Sequence, residues 1–511
     1  MKTLITLFSF LLLPVVYGQL DSIHWFPPLH SRDAGEIEDH YIYLSTPSTT
    51  PITVTITNGI GTILASPVIS NGSPFVYQIA TDDPSEAMID ASDLNTVLAD
   101  KGLIMSSTDK FYAVFKARSP SQAGALTCKG NAARGMTFRA GVMPQDPALD
   151  DFRRNFVLSV MATEDNTTID ISDYDTGVEF YDAGGNITLD VLTFALDSGE
   201  SYVVSGYNDI VANRQGFVGA LVTANKPIVV NNGSWCGGVH TGGSQDIGID
   251  QSVPIEMLGT EYITIRGEGT TDMEKPLVIA HTDGTDVYVN GSGVPLTTLN
   301  AGEWYLIPES NYTGTGHENM FIETSEPAYV YQPIGGDASP TTPGMNFIPP
   351  LSCFLSDSVD LMPSIDVIGA TTYTGIVIAF TESGATLSVN GVPQTGAEPV
   401  AGAPSPGWDT YKLTGFTGDV VVTSTGPMAA GTVGFNGVAG FSTYYSGFGV
   451  QPLVTAVSGT CAPGFVVDGG TGYSSWQWLL NGDPIPGATG QLAYAAEPGN
   501  YQIVGGQGTC F

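Results

Sequence analysis

Along most of the chain, apolar and polar residues alternate with period two and are interrupted by turn residues, which is the pattern of half-buried strands. Ile52-Thr-Val-Thr-Ile-Thr57 and Asp286-Val-Tyr-Val289 are clear cases. Asn-Gly pairs begin at Asn58, Asn71, Asn232, Asn290, Asn390, Asn436 and Asn481. They suit tight hairpins, because a type I′ turn needs positive φ at both central residues. Helical periodicity is scarce, and only residues 85–101 admit a short helix. The pattern predicts an all-β protein.

The alternation also repeats on a longer scale. Val160-Met-Ala-Thr-Glu-Asp-Asn-Thr-Thr-Ile-Asp-Ile171, Ile279-Ala-His-Thr-Asp-Gly-Thr-Asp-Val-Tyr-Val289 and Ile378-Ala-Phe-Thr-Glu-Ser-Gly-Ala-Thr-Leu-Ser-Val389 share one plan. Each is a strand ending in Thr, an acidic turn and an alternating strand, with Thr163, Thr282 and Thr381 in register. Thr46 opens a weaker fourth copy. Two landmarks follow in order. The first is Gly199-Glu-Ser-Tyr, Gly302-Glu-Trp-Tyr and Gly407-Trp-Asp-Thr-Tyr; the second runs from Thr223 to Pro227, from Thr324 to Pro327 and from Thr423 to Pro427. Proline hinges recur at Pro27-Pro28, Pro144, Pro254, Pro349-Pro350 and Pro452. The chain therefore reads as four tandem antiparallel repeats of about 100–120 residues, near 24–143, 144–253, 254–349 and 350–453. Units of this kind stack on their neighbours, and the pattern fits either β-sandwich-like or propeller-like units.

Residues 1–18 carry one lysine, an apolar run over 4–16, and Val16 and Gly18 at −3 and −1. That is the form of a secretory signal peptide, too short for a membrane span. No membrane insertion is expected after cleavage. Export permits disulfides, and the five cysteines are Cys128, Cys236, Cys353, Cys461 and Cys510. Beyond residue 456 the order Cys461, Trp476, Trp478, Cys510 is that of an immunoglobulin-like sandwich. This 456–511 module is short and reads as truncated. A Cys461–Cys510 disulfide is expected to close it, with Cys236–Cys353 as a second pairing and Cys128 left over. Composition narrows the partners. Lys and Arg number 16 against 51 Asp and Glu, a net charge of −35, which repels phosphate backbones and anionic lipid. Nucleic acid is excluded.

Linear catalytic signatures are absent: there is no Gly-x-Ser-x-Gly, His-Glu-x-x-His, phosphate loop or Cys-x-x-Cys. No catalytic, cofactor-binding or metal residue is assigned. Calcium is the one ion with candidates, at Asp170, Asp173 and Asp175, because hard cations take several oxygens; solvated turn carboxylates are the plainer reading. His24 and His30 flank the first proline hinge, and His281 stands where the other repeats carry Ala162 and Phe380. Trp235, Trp304, Tyr329, Tyr331, Tyr444 and Tyr445 lie at strand landmarks, as core or as binding-face residues.

Several ordered motifs resemble a known family: Ser234-Trp-Cys-Gly-Gly238, Asp246-Ile-Gly-Ile-Asp-Gln251, Leu258-Gly-Thr-Glu-Tyr-Ile263, Arg266-Gly-Glu-Gly269, Tyr331-Gln-Pro-Ile-Gly-Gly336 and Pro349-Pro-Leu-Ser-Cys353. Together they are similar to the IgG Fc-binding protein N-terminal domain family over most of 24–453, and to its bacterial members on large secreted surface proteins. Residues 458–511 resemble the immunoglobulin-like modules that follow such regions in adhesins. The resemblance implies a secreted, cell-surface adhesin or extracellular binding protein, non-catalytic, exported by the type IX route and recognising glycan or protein ligands. It does not imply antibody binding. Two other readings stay open: a structural stalk or matrix protein, and a secreted carbohydrate-active hydrolase using a carboxylate pair. Oligomeric state is not legible.

Overall fold

The computed structural model describes residues 19–32, 37–145, 154–237, 246–269, 272–335, 344–352, 354–445, 455–458, 465–469 and 475–506. The expected signal segment, residues 1–18, lies outside them. The fold is all-β, and its only helical turns among the described residues are 3-10 turns. The candidate helix over 85–101 is one of these, Ala91–Asp93, followed by a short strand, Val97–Leu98. Ala87, Met88 and Ile89 are all buried in succession, which no helical face could achieve.

The chain forms two compact units, 18–448 and a smaller one containing 449–511. The larger is built on one pairing plan, clearest at its start. A long strand, β1 (Leu103–Arg118), belongs to two sheets at once. Its first part, from Leu103, pairs with Asp21–Phe26 and Thr55–Asn58, and its second with Asp39–Ser45 and β2 (Ala123–Thr127). The result is a two-layer sandwich sharing one bent strand. The plan recurs around β3 (Leu221–Gly237), which is followed by β4 (Asp246–Gln251), and around β5 (Asn319–Pro333), followed by β6 (Met345–Phe347). In the last copy the long strand is split into β7 (Val420–Ser424) and β8 (Met428–Asn436), followed by β9 (Ala439–Tyr444).

This explains the Thr-to-Pro landmark. Pro227, Pro327 and Pro427 all sit where the chain passes from one set of partner strands to the next. A residue with no N–H to donate is tolerated there and not within a ladder. Two sequence assignments shift by comparison with the structure. The strand Gly135–Arg139 pairs with β3 of the second sandwich, although the repeat reading assigns it to the first. His281, rather than Thr282, occupies the place of Thr163: Thr167 and Thr285 each bond the carbonyl three residues back, that of Glu164 and of Thr282.

The last strands of the four sandwiches, β2, β4, β6 and β9, pack against one another in cyclic order. These strands form a hub around which the sheets are arranged. Two buried carboxylates of β4 tie it together. Asp246 accepts from Ala123 N and Gly440 N, both at 2.6 Å. Asp250 accepts from Lys129 Nζ at 2.5 Å and from Phe347 N at 2.7 Å. The ring closes where Thr127 and Thr443 place their hydroxyls 2.6 Å apart. At the same seam Lys116 donates to Ser364 O at 2.6 Å, and Ser45 Oγ donates to Leu361 O at 2.9 Å. Around them Tyr41, Tyr43, Tyr112 and Val114 pack with Val359, Met362, Ile365 and Tyr373 in one apolar cluster.

Glycine sets the other seams. Gly199 (φ +85°) would place a Cβ 2.2 Å from Gly59 O, and Gly402 (φ +76°) one 2.2 Å from the Asn290 backbone. Any larger residue meets both the left-handed backbone penalty and a neighbouring module. Gly402, five residues before the Gly407 of the sequence landmark, is thus the seam residue of the fourth module.

In the smaller unit, Thr455–Ser458, Phe465–Asp468 and Leu492–Ala495 form one sheet, and Asp483–Pro484, Ser475–Leu480 and Tyr501–Gly506 another. Trp478 is fully buried against Val467 and Ala493, and its indole N–H donates to Gly490 O at 2.9 Å. Cys461 and Cys510 lie outside the described residues. No helix among the described residues is long and apolar enough to cross a membrane.

Candidate functional site

Most of the motifs that carry the family resemblance build the interior, while Arg266-Gly-Glu-Gly269 lines a cleft. Trp235, Tyr262 and Tyr331 are fully buried, as is Gln332. Asp246 and Asp250 form the hub. Gln251 accepts Lys129 N at 2.6 Å and donates to Trp25 O at 2.9 Å. The carboxylates and Gln251 are satisfied by the fold itself, so ligand contacts are sought where modules meet. Among the described residues, three clefts at such seams stand out.

The cleft between the first and second modules has a volume of about 600 Å³. Its wall is a stack: Tyr181 lies on Tyr207 with ring centroids 4.4 Å apart, and the Arg32 guanidinium sits 4.1 Å over the other face of Tyr207. Arg32 also grips Asp209 through two bonds, at 2.8 and 2.6 Å, which hold that carboxyl below its usual range. His30 uses Nδ1 on Ile89 O and Nε2 on the Tyr207 hydroxyl, both at 3.0 Å. The carbonyl can only accept, so Nδ1 carries a proton. Burial raises Asp83 above the usual carboxylate value, opposed by the Ser31 hydroxyl. Protein groups cover both faces of the Tyr207 ring.

The cleft between the third and fourth modules, about 370 Å³, is walled by the loops 266–269 and 314–317 with Lys412 opposite. Its shape depends on Glu274, which is fully buried and accepts Gly267 N at 2.6 Å and Gly269 N at 2.7 Å. Burial pushes that carboxyl up to about 7. Glu398 of the fourth module accepts Gly316 N at 2.8 Å and Thr315 N at 2.9 Å, which hold its carboxyl low. The cations are matched: Arg266 with Glu318 at 2.5 Å, Lys412 with Glu268 at 2.8 Å. With its charges paired, this cleft is no anion cradle.

The cleft between the second and third modules, about 510 Å³, combines Trp304 and Tyr305 with Asp173, Asp175, Gln215 and Thr297. Of the aromatic candidates, Trp235, Tyr329, Tyr331, Tyr444 and Tyr445 are buried, whereas Trp304 is half-buried in a cleft. The strands of the hub have both faces covered, so landmark aromatics there are core.

Of the calcium candidates, Asp173 and Asp175 line the same cleft; Asp173 pairs with Arg139 at 3.2 Å, and Asp170 accepts the Thr193 hydroxyl at 2.6 Å. No group of three or more His, Cys, Asp or Glu among the described residues could hold a metal ion. His24 donates from Nε2 to Phe111 O at 2.8 Å, so both hinge histidines serve backbone carbonyls. Cys128 is a buried free thiol pushed up to about 12 by burial. Cys236 is buried with φ 53°, and its expected partner Cys353 lies outside the described residues. Sequence reasoning singled out His30, Asp173, Asp175 and Trp304 one by one but not the clefts they line, because segments as far apart as His30 and Tyr207 meet there. The clearest signal was Trp304, a large aromatic where the related landmark carries Ser201.

Comparison with known proteins gives one strong match. The profile of a family described as IgGFc binding protein matches residues 132–434, which takes in the second, third and most of the fourth module. No curated protein matches the chain. Among solved structures, Escherichia coli alpha-2-macroglobulin activated by porcine elastase is 11% identical with a TM-score of 0.14, over 94% of this chain and 49% of that one. The chain thus spans about half the length of that protein. A biofilm associated protein BSP domain is 9% identical with a TM-score of 0.12, over 87% of this chain and 99% of that one. Likenesses this low carry no argument.

Proposed function

Because this chain belongs to the IgGFc binding protein family, we propose that it is a secreted, non-catalytic binding protein of the cell surface. In this reading the four modules form one rigid head and the seam clefts receive its ligand, a glycan or a protein. The observation that carries it is the family match itself, which spans most of the ring. The location of most motifs agrees with it: Asp246–Gln251 is spent on the hub, whereas Arg266-Gly-Glu-Gly269 walls one of the seam clefts. The family description names IgG Fc, which makes Fc one probe among several. Repeated clefts on one head suit multivalent attachment, in which weak contacts combine into firm binding.

The test is an array of glycans and glycoproteins, IgG Fc included, probed with the purified chain, together with surface labelling of intact producing cells. Selective, saturable binding and surface exposure are expected. A folded chain that binds none of these, or that turns over a glycan and loses this activity in Asp83→Asn, would overturn the proposal.

A further inference from the structure

We propose that the cleft between the second and third modules binds a neutral sugar ring, with the Trp304 indole as its stacking platform. This rests on the reading of the chain as a binding protein and gives one of its clefts a ligand class. The first argument is positional. Ala162 N bonds Glu200 O at 3.1 Å, and Ala280 N bonds Glu303 O at 3.0 Å, so Ser201 and Trp304 hold the same place in their modules. Ser201 is fully buried. The next residue, Tyr202, is stacked on Phe194 with centroids 3.9 Å apart. Trp304 is half-buried instead, on the short strand Trp304–Leu306, and no ring stacks on it among the described residues. A tryptophan needed only for packing would be enclosed, as Trp235 is.

The second argument is what surrounds it. The C–H face of a pyranose ring is apolar and slightly positive and suits the negative face of an indole. Its rim of hydroxyls needs acceptors and donors. Asp175 is exposed, with no side-chain bond among the described residues. Gln215 uses its Nε2 on Gln145 O at 2.9 Å, which leaves Oε1 to accept, and Thr297 adds a hydroxyl. Few apolar walls with a small set of placed polar groups, in about 510 Å³, is the make-up of a small-ligand cleft of the usual about 300–1,000 Å³.

The third argument is charge. Asp173, Asp175 and Glu303 line the cleft, and among the described residues no Lys or Arg lines it; Arg139, beside it, is engaged by Asp173. On a chain of net charge −35, sialic and uronic acids are repelled. A neutral sugar is not.

The experiment titrates the full chain with neutral methyl hexopyranosides and disaccharides, and in parallel with glucuronic and sialic acids. Calorimetry and indole fluorescence read binding, and thermal denaturation checks the fold. Saturable binding of a neutral sugar is expected, with weaker or no binding of the acids. Trp304→Ala should weaken it by about tenfold or more at unchanged melting temperature, Trp304→Phe should retain part, and Asp175→Asn should weaken it in part. Neutral-sugar binding that Trp304→Ala leaves untouched would overturn the proposal, as would preference for the acids. If no sugar binds while protein ligands do on the array, the sugar assignment fails and the binding reading stands. If nothing binds, both fail.

Discussion

Replacing Asp250 by Ala is expected to lower the unfolding free energy of the ring by about 3–5 kcal/mol, the cost of stripping one partner from a buried ion pair. Lys129 is almost fully buried, and its ammonium sits 2.5 Å from Asp250 Oδ1. Its other hydrogen bond among the described residues goes to Gln251 O, at 2.5 Å. The same carboxylate holds Phe347 N and Gln251 N, both at 2.7 Å, so its loss also leaves two backbone donors unsatisfied. Three modules meet on this one side chain, and the damage should therefore spread beyond its own strand. Denaturant unfolding read by circular dichroism measures the loss. Lys129→Met added to Asp250→Ala should recover a substantial part of it, because the stranded cation is then gone. A double variant as unstable as the single one would show that the pair's charge is not what matters.

Glu274 is expected to give the chain a pH dependence opposite to that of an ordinary paired carboxylate. Its carboxyl titrates near 7 in the folded chain against an ordinary value of 4.5. Burial is the main cause, only partly offset by the N–H groups of Gly267 and Gly269. The folded state therefore holds the proton more tightly than the unfolded one. That contribution is fully present below about pH 4.5 and is lost as pH rises through about 7, up to about 3 kcal/mol in all. Glu398, whose carboxyl is held low, works in the reverse sense, with stability lost as pH falls. Melting temperatures of the wild-type chain and Glu274→Gln, compared from pH 4 to pH 8, isolate the first effect. The difference between them should shift steadily through this range in the direction that penalises the wild-type chain at higher pH. A flat difference would contradict the assignment.

How much of this could be read from the sequence depended on where each strand lies. Strands with one wet face kept their alternation, as in Thr55–Asn58 and Thr285–Val289, so the all-β class was legible. The Thr-to-Pro landmark was legible as a repeat but not as a change of partner strands, because nothing local distinguishes a strand that changes partners from one that ends. The hub was hidden. Asp246–Gln251 is buried at every position, yet Ile247 and Ile249 alternate with Asp246, Gly248 and Asp250 as in a strand with one wet face, so its carboxylates look solvent-facing. Thr127 and Thr443 meet across 316 positions of sequence, and no periodicity records that. The clefts were hidden for the same reason, since each is made by residues of two modules. The aromatics at landmarks were visible but their burial was not, because a strand packed on both faces and a strand with one wet face can carry the same tyrosines.

The closed ring is the claim on which the seams and their clefts depend, and its most exacting point is the junction of the first and last modules. The Thr127 and Thr443 hydroxyls are 2.6 Å apart there, close enough for two sulfurs in their place to bond. The variant Thr127→Cys with Thr443→Cys, oxidised mildly and mapped by peptide mass spectrometry without reduction, should yield a single linked peptide pair joining residues 127 and 443. Recovery of both engineered cysteines as free thiols from the folded chain would mean that the modules form an open string, and would contradict the account.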